Sequence, residues 1–202
     1  MRSLSICLAA CTALTLAACG DDGDGSTPID AAASIDAPAG ALTCAAYCSS
    51  ITQNCSAGNK QYNDMASCLA SCAFMPVGSI ADTQGNTLGC RTYHAGTPAM
   101  TTPATHCAHA GPGGADPTGP FCGNNCQGFC QIVLGACTGA NQQYGGQMAT
   151  CMTQCSMFND NVKYAAQQTG NTLACRLYHA TVATTAPGMH CGHTAAVSST
   201  CQ

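Results

Sequence analysis

The sequence contains no tryptophan and no glutamate, and charged residues make up only 7% of its 202 residues. The five lysines and arginines are scattered along the chain and form no basic cluster. Proteins that bind a nucleic-acid backbone need such a cluster, because phosphate neutralisation supplies most of their affinity. We therefore expect no nucleic-acid partner.

Groups for acid–base catalysis are also scarce. Beyond residue 40 the only carboxylates are those of Asp64, Asp82, Asp116 and Asp160, and they do not recur at matching places in the two repeats described below. Paired carboxylates therefore have no basis here. The chain also lacks G-x-S-x-G, H-E-x-x-H, a phosphate-binding loop and the C-x-x-C-H pattern of covalent haem attachment. We predict that the protein is not an enzyme.

Cysteine, in contrast, is abundant, with 19 residues in the chain. A cysteine content above about 8% in a short exported chain indicates a disulfide scaffold. Disulfides persist only in oxidising compartments, so we expect the body of the protein to lie outside the cytoplasm.

Residues 1–19 have the pattern of an export signal: Arg2 precedes an apolar run from Leu4 to Ala18 that is short for a membrane-spanning helix. The run ends in LAACG at residues 16–20, which resembles the bacterial lipobox. The resemblance implies that Cys19 is lipidated, becomes the first residue of the mature protein and anchors it in a membrane of the cell envelope, for which we expect the outer membrane. The alternative is ordinary cleavage after Ala18, which would give a secreted protein.

Residues 20–40 contain aspartates among Gly, Ala, Ser and Pro, with almost no apolar bulk. Such a segment cannot offset the entropy lost on ordering, so we predict a disordered tether. Its composition is similar to that of the tethers of myxobacterial surface lipoproteins. The cysteine-rich body that follows matches no named family from which a function could be transferred.

The body is a tandem duplication of an eight-cysteine unit, and we place repeat 1 at residues 41–122 and repeat 2 at residues 123–202. The spacings between the first seven cysteines agree within two residues in the two copies. The cysteines assigned to disulfides are Cys44, Cys48, Cys55, Cys68, Cys72, Cys90, Cys107 and Cys122 in repeat 1, and Cys126, Cys130, Cys137, Cys151, Cys155, Cys175, Cys191 and Cys201 in repeat 2. Units this small with so few large apolar residues need such cross-links.

The cysteine spacing predicts helices. Cys44, Cys48, Ile51 and Cys55 recur at four, three and four residues, which is one face of a helix, and a second C-x-x-x-C stripe follows. If the two helices pack antiparallel, Cys44 pairs with Cys72 and Cys48 with Cys68, and the corresponding pairs form in repeat 2. Eight cysteines allow on the order of a hundred connectivities, so this pairing depends on the assumed geometry.

Two further short helices are expected in each repeat. One begins near Asn86 or Thr87 and runs through His94, and another begins at Pro103, or at Pro187 in repeat 2. The predicted fold is a small, disulfide-rich, all-α fold. Each unit consists of a disulfide-clasped helical hairpin plus one or two short helices.

All six histidines lie at matching places, three per repeat: His94, His106 and His109, then His179, His190 and His193. Three converging histidines are a ligand set for Zn or Cu with one open position. The alternative is that they are structural residues that cap helices or bond to carbonyls. The arginines at matching places, Arg91 and Arg176, are candidates for anion binding, or for bonding to helix-terminal carbonyls.

These observations lead to two expectations. The first is a cell-envelope lipoprotein that acts as a disulfide-stapled binding or structural interaction module toward an unidentified envelope protein or ligand. The second is a metal-binding or metal-dependent redox protein with Cu or Zn at one three-histidine site per repeat.

Overall fold

The computed structural model describes residues 41–116, 119–160, 164 and 167–202. The predicted signal peptide, the lipidation site at Cys19 and the tether over 20–40 lie outside these residues. The described residues form one compact unit.

The described residues form short helices joined by loops, which confirms the predicted small, disulfide-rich all-α fold. The helices of repeat 1 are α1 (Cys44–Asn54), α2 (Met65–Cys72), α3 (Leu88–Ala95), α4 (Thr97–Thr101) and α5 (Pro103–Ala110). Those of repeat 2 are α6 (Asn125–Ala136), α7 (Met148–Cys155), α8 (Leu173–Ala183) and α9 (Pro187–His190). A minimal antiparallel pair, β1 (Ala115–Asp116) and β2 (Gly119–Pro120), lies between the two sets.

Each hairpin is clasped by the two bridges that helical spacing predicts. Cys44 is bonded to Cys72 and Cys48 to Cys68 in repeat 1. The pairs in repeat 2 are Cys126–Cys155 and Cys130–Cys151. The bridges therefore join α1 to α2 and α6 to α7.

The other four bridges fix the later helices of each repeat. Cys55 at the end of α1 is bonded to Cys107 on α5, and Cys137 is bonded to Cys191 in the same way. Cys90 on α3 is bonded to Cys122, and Cys175 on α8 to Cys201. All eight bridges join cysteines of the same predicted repeat.

The apolar core is divided between two clusters, one for each repeat. Tyr47 and Ile51 of α1 pack with the cystines and Leu88 in the first cluster. Phe129 and Val133 of α6 take the matching places in the second. The buried large apolar side chains thus pack around the disulfides, in agreement with the role expected of the cross-links in a small unit.

The two repeats differ where α3 ends. In repeat 1 the chain breaks at Gly96, and α4 begins immediately after it, with Pro98 in its first turn. Pro98 has no backbone N–H and its ring would clash with the carbonyl four residues earlier, so α3 cannot continue unbroken through it. In repeat 2 the corresponding residues continue α8 to Ala183. Repeat 1 therefore has three helices after its hairpin, one more than expected.

Within the described ranges, no helix combines the length and hydropathy that crossing a membrane requires.

Candidate metal centres

The first histidine of each site projects from the helix that follows the hairpin. The side chains of Thr87 and Thr172 accept hydrogen bonds from the backbone nitrogens of Cys90 and Cys175, so they cap α3 and α8. Four residues further along lie His94 and His179, both buried. Because cysteine and histidine are four residues apart, they lie on the same inward face.

The other two histidines lie on the segment that begins with a proline. In repeat 1, α5 carries both His106 and His109, as predicted. In repeat 2, α9 ends at His190, and His193 lies in the 3-10 turn Cys191–Thr194 that follows. The bridge through Cys107 or Cys191 fixes each segment to the first helix of its hairpin.

The structure brings together all three histidines of each repeat. We call His94, His106 and His109 site 1, and His179, His190 and His193 site 2. In each site, one ring nitrogen from every histidine lies within 4.8 Å of those of the other two. His94 Nδ1 is 2.9 Å from His106 Nδ1, and His179 Nδ1 is 3.0 Å from His190 Nδ1 and 3.3 Å from His193 Nδ1.

A backbone carbonyl determines the tautomer of the buried histidine. His94 Nε2 donates to the carbonyl oxygen of Thr83 at 3.2 Å, and His179 Nε2 donates to that of Gln168 at 3.1 Å. A carbonyl only accepts, so Nε2 carries the proton, and in the neutral ring Nδ1 keeps its lone pair. That lone pair points toward the other histidines, as in metal sites where an outer carbonyl orients the ligand.

The environment also keeps these rings neutral. Burial lowers the pKa of His94, and the neighbouring histidines lower it further, although the bond to Thr83 opposes the shift. The same causes lower the pKa of His179 to about 4. Burial, with a contribution from His193, lowers the pKa of His190. Neutral imidazole is the form that binds a metal ion.

The closest nitrogen pairs are spaced much as a tetrahedral ion requires. With metal–nitrogen bonds of about 2.0–2.1 Å, two ligand nitrogens lie roughly 3.3–3.4 Å apart. The three closest pairs, at 2.9 to 3.3 Å, equal or fall slightly below that spacing, and the other pairs lie within 4.8 Å. A site of three imidazoles suits Zn or Cu and does not suit Ca or Mg, which prefer oxygen ligands.

The two matching arginines hold the chain just beyond the histidines. Arg91 is fully buried, and its Nε donates to the Gly111 carbonyl at 3.1 Å. The other guanidinium nitrogens face the carbonyls of Thr87, Pro112 and Gly113 at 3.4–3.5 Å.

Arg176 repeats the arrangement in repeat 2. It donates to the carbonyls of Thr172, Ala195 and Ala196 at 3.1–3.2 Å. Its guanidinium also lies 4.0 Å from the centre of the Phe158 ring. The structure therefore favours the carbonyl-bonding interpretation of both arginines over anion binding, because their donors face backbone oxygens.

Tyrosine hydroxyls donate to the residue that follows the third histidine of each site. Tyr47 donates its hydroxyl to the Ala110 carbonyl at 2.6 Å and lies 2.8 Å from the hydroxyl of Tyr62. In repeat 2, Phe129 occupies the place of Tyr47, and Tyr144 donates directly to the Thr194 carbonyl. Ala110 and Thr194 each immediately follow the third histidine of their site, so these bonds position it.

Sequence reasoning missed two kinds of residue. Thr83 and Gln168 act through backbone carbonyls, which leave no side-chain signal. Phe121 stacks on His109 with ring centres 3.9 Å apart and an interplanar angle of 27°. Its position directly before the last cysteine of repeat 1 was the available signal, but repeat 2 has Thr200 there.

Comparison with known proteins identifies the repeated unit. The model of the BfoA family C-terminal domain matches residues 27–126 and, a second time, residues 123–199. The body therefore does have a family, contrary to the expectation from the sequence alone. No curated protein and no solved structure matches the chain.

Proposed function

We propose that this chain, which belongs to the BfoA C-terminal domain family, is an exported binding module that holds one Zn or Cu ion in each repeat. The observation that carries the proposal is the convergence of three ring nitrogens twice in one chain. This merges the two expectations from the sequence: the disulfide-stapled unit is the scaffold, and the metal ion is its ligand.

The support around the histidines favours ligation over a purely structural role. A structural histidine needs one or two hydrogen-bond partners, and any arrangement that supplies them suffices. In each site, the buried histidine donates to a backbone carbonyl eleven residues earlier in the chain. In each site, its Nδ1 atom also faces the Nδ1 atom of the second histidine. The arrangement of the histidines and of the carbonyl that orients one of them is therefore repeated.

The bridges assign the thiols to the scaffold. All sixteen cysteines of the body form disulfides. Cys107 and Cys191, which lie between two site histidines, are among them and offer no thiolate to the ion. We therefore propose a nitrogen-only ligand set for both ions.

Metal titration of the oxidised protein tests the proposal. Isothermal titration calorimetry with Zn or Cu(II) at neutral pH should saturate near two ions per chain. A variant that lacks His94 and His179 is the control. If the wild-type protein binds Zn and Cu(II) no better than this variant, the proposal is overturned.

The place of action follows in part from the bridges. Eight disulfides place the body outside the reducing cytoplasm. We propose further that Cys19 carries a lipid that tethers the module to the cell envelope, on the outer membrane. Mass spectrometry of the mature N-terminus decides this: an acylated Cys19 supports it, and an unmodified N-terminus excludes the anchor.

A further inference from the structure

We infer that the two sites have different tasks: site 2 exchanges its ion and accepts a donor from outside, whereas the Phe121 ring closes site 1. This rests on the proposed function, since both tasks need a bound metal. Access to the ion differs between the repeats, although the ligands do not.

Site 1 is covered by an aromatic ring. Phe121 stacks on His109 at 3.9 Å, and its ring centre lies 6.0 Å from that of His94. His109 is 1% exposed. Two of the three histidines of site 1 are therefore buried, and an aromatic ring lies against one face of His109.

The chain fixes Phe121 in this position. It immediately precedes Cys122, which is bonded to Cys90 one turn before His94 on α3. Its carbonyl also accepts a hydrogen bond from the Gly85 backbone nitrogen at 2.8 Å. The backbone of Phe121 is thus fixed by bonds to segments that flank His94.

Site 2 lacks this cover. The residue before Cys201, which is bonded to Cys175, is Thr200. In the described part of repeat 2, the rings in contact with His193 are those of His179 and His190, at 4.5 and 5.7 Å. His190 and His193 are both half-buried, so solvent reaches two ligands of site 2 and only one of site 1.

Access decides how a bound ion behaves. Three nitrogens leave a tetrahedral ion with one position for water or another donor, and the apolar shell controls whether such a donor can enter. An incoming monodentate donor, such as an anion or an imidazole, should reach the ion in site 2. A chelator should remove that ion first.

Azide binding to the Cu(II)-loaded protein tests the inference, with the azide-to-copper charge-transfer band as the readout. Wild type should bind one azide per chain. Two matched variants isolate the sites. His106→Ala removes the half-buried histidine of site 1, leaves site 2 and should bind azide. His190→Ala removes the matching histidine of site 2, leaves site 1 and should not bind azide. Removal of copper by EDTA should be biphasic in wild type, with rates that differ by roughly tenfold or more.

Substitution of Phe121 is the second experiment. Phe121→Thr, which installs the residue of repeat 2, should let site 1 bind azide and lose copper at a rate close to that of site 2. Phe121→Tyr keeps the ring and should leave site 1 closed. If Phe121→Thr does not fold, the comparison of the two single-site variants decides alone.

The outcomes separate this inference from the proposed function. Binding of two azides by the protein that holds two copper ions would overturn the inference and retain the metal sites. Copper release rates that Phe121→Thr leaves unchanged would do the same. Azide at site 1 and not at site 2 would also overturn it. A protein that binds no copper would overturn the proposed function itself.

Discussion

His94 and His106 face each other through their Nδ1 atoms at 2.9 Å, with their rings stacked at an interplanar angle of 25°. The pair recurs in repeat 2, where His179 and His190 are 3.0 Å apart with rings at 26°. Two nitrogens this close must share a proton or bind a common ion, since two lone pairs in contact repel. The first option describes the metal-free protein, and the second describes the proposed function.

Removal of one buried histidine should abolish one site only. We predict that His94→Ala lowers the stoichiometry from two ions per chain to one, because the repeats carry separate ligand sets. His179→Ala should do the same, and the double variant should bind none. Tyr93→Phe, next to His94 but half exposed, is the control and should bind two. Loss of both ions from His94→Ala with its disulfides intact would contradict independent sites.

Replacement of the buried arginine should destabilise the protein. Arg91→Met removes the donors that face four backbone carbonyls, and the Gly111 oxygen loses its close partner in the interior. An unsatisfied buried polar group costs about 1–3 kcal/mol, so we expect a loss of that size in urea denaturation.

The same experiment tests the anion alternative for the arginines. Lys60→Met, at an exposed position, should leave the denaturation midpoint nearly unchanged. Phosphate or acetate should stabilise wild type and Arg91→Met equally, because the guanidinium faces carbonyls. A stabilisation by phosphate that disappears in Arg91→Met would support anion binding.

The clasp of the hairpin predicts which thiol becomes free. Cys44→Ala should expose Cys72 to alkylation, and Cys126→Ala should expose Cys155, because these are bonded pairs. Loss of a native disulfide from such a unit should cost roughly 2–5 kcal/mol. Peptide mapping after alkylation identifies the thiol, and labelling of Cys68 or Cys90 instead would show that the bridges rearrange.

Acidification should destabilise the metal-free protein. The pKa of His179 is lowered from 6.5 to about 4 in the folded state, so the unfolded chain takes up its proton first. The contribution of neutral His179 to the free energy of unfolding is complete above about pH 6.5 and is lost as the pH falls toward 4. His94 shifts in the same direction.

Thermal unfolding between pH 7.5 and 4.5 measures this effect. The melting temperature should fall over that range, and it should fall less in the double variant His94→Gln/His179→Gln, whose amides do not titrate. The affinity for metal should fall through the same range, because protons compete for the ligands. A melting temperature that is constant or rises on acidification would contradict the shifts.

The local part of this structure could be predicted from the sequence. Cysteines four residues apart mark one helix face, so the clasps Cys44–Cys72 and Cys48–Cys68 follow once two helices pack antiparallel. The bridge Cys55–Cys107 joins residues 52 apart in sequence, and no periodicity relates them.

The candidate sites divide in the same way. The ligands were found because duplication preserved all three histidines. Phe121 was missed because the repeats differ there, and Thr83 because it acts through its backbone. Such contacts depend on tertiary packing and cannot be predicted from the residue type alone.

X-ray absorption spectroscopy of the Zn- or Cu(II)-loaded protein identifies the donor atoms around each ion. We expect three imidazole nitrogens at about 2.0–2.1 Å from each ion, one further light donor and no sulfur. A sulfur shell at about 2.3 Å would mean that a bridge opens to supply thiolate, and fewer than three imidazoles per ion would mean that the histidines do not act as a set. Either result would contradict the three-histidine sites.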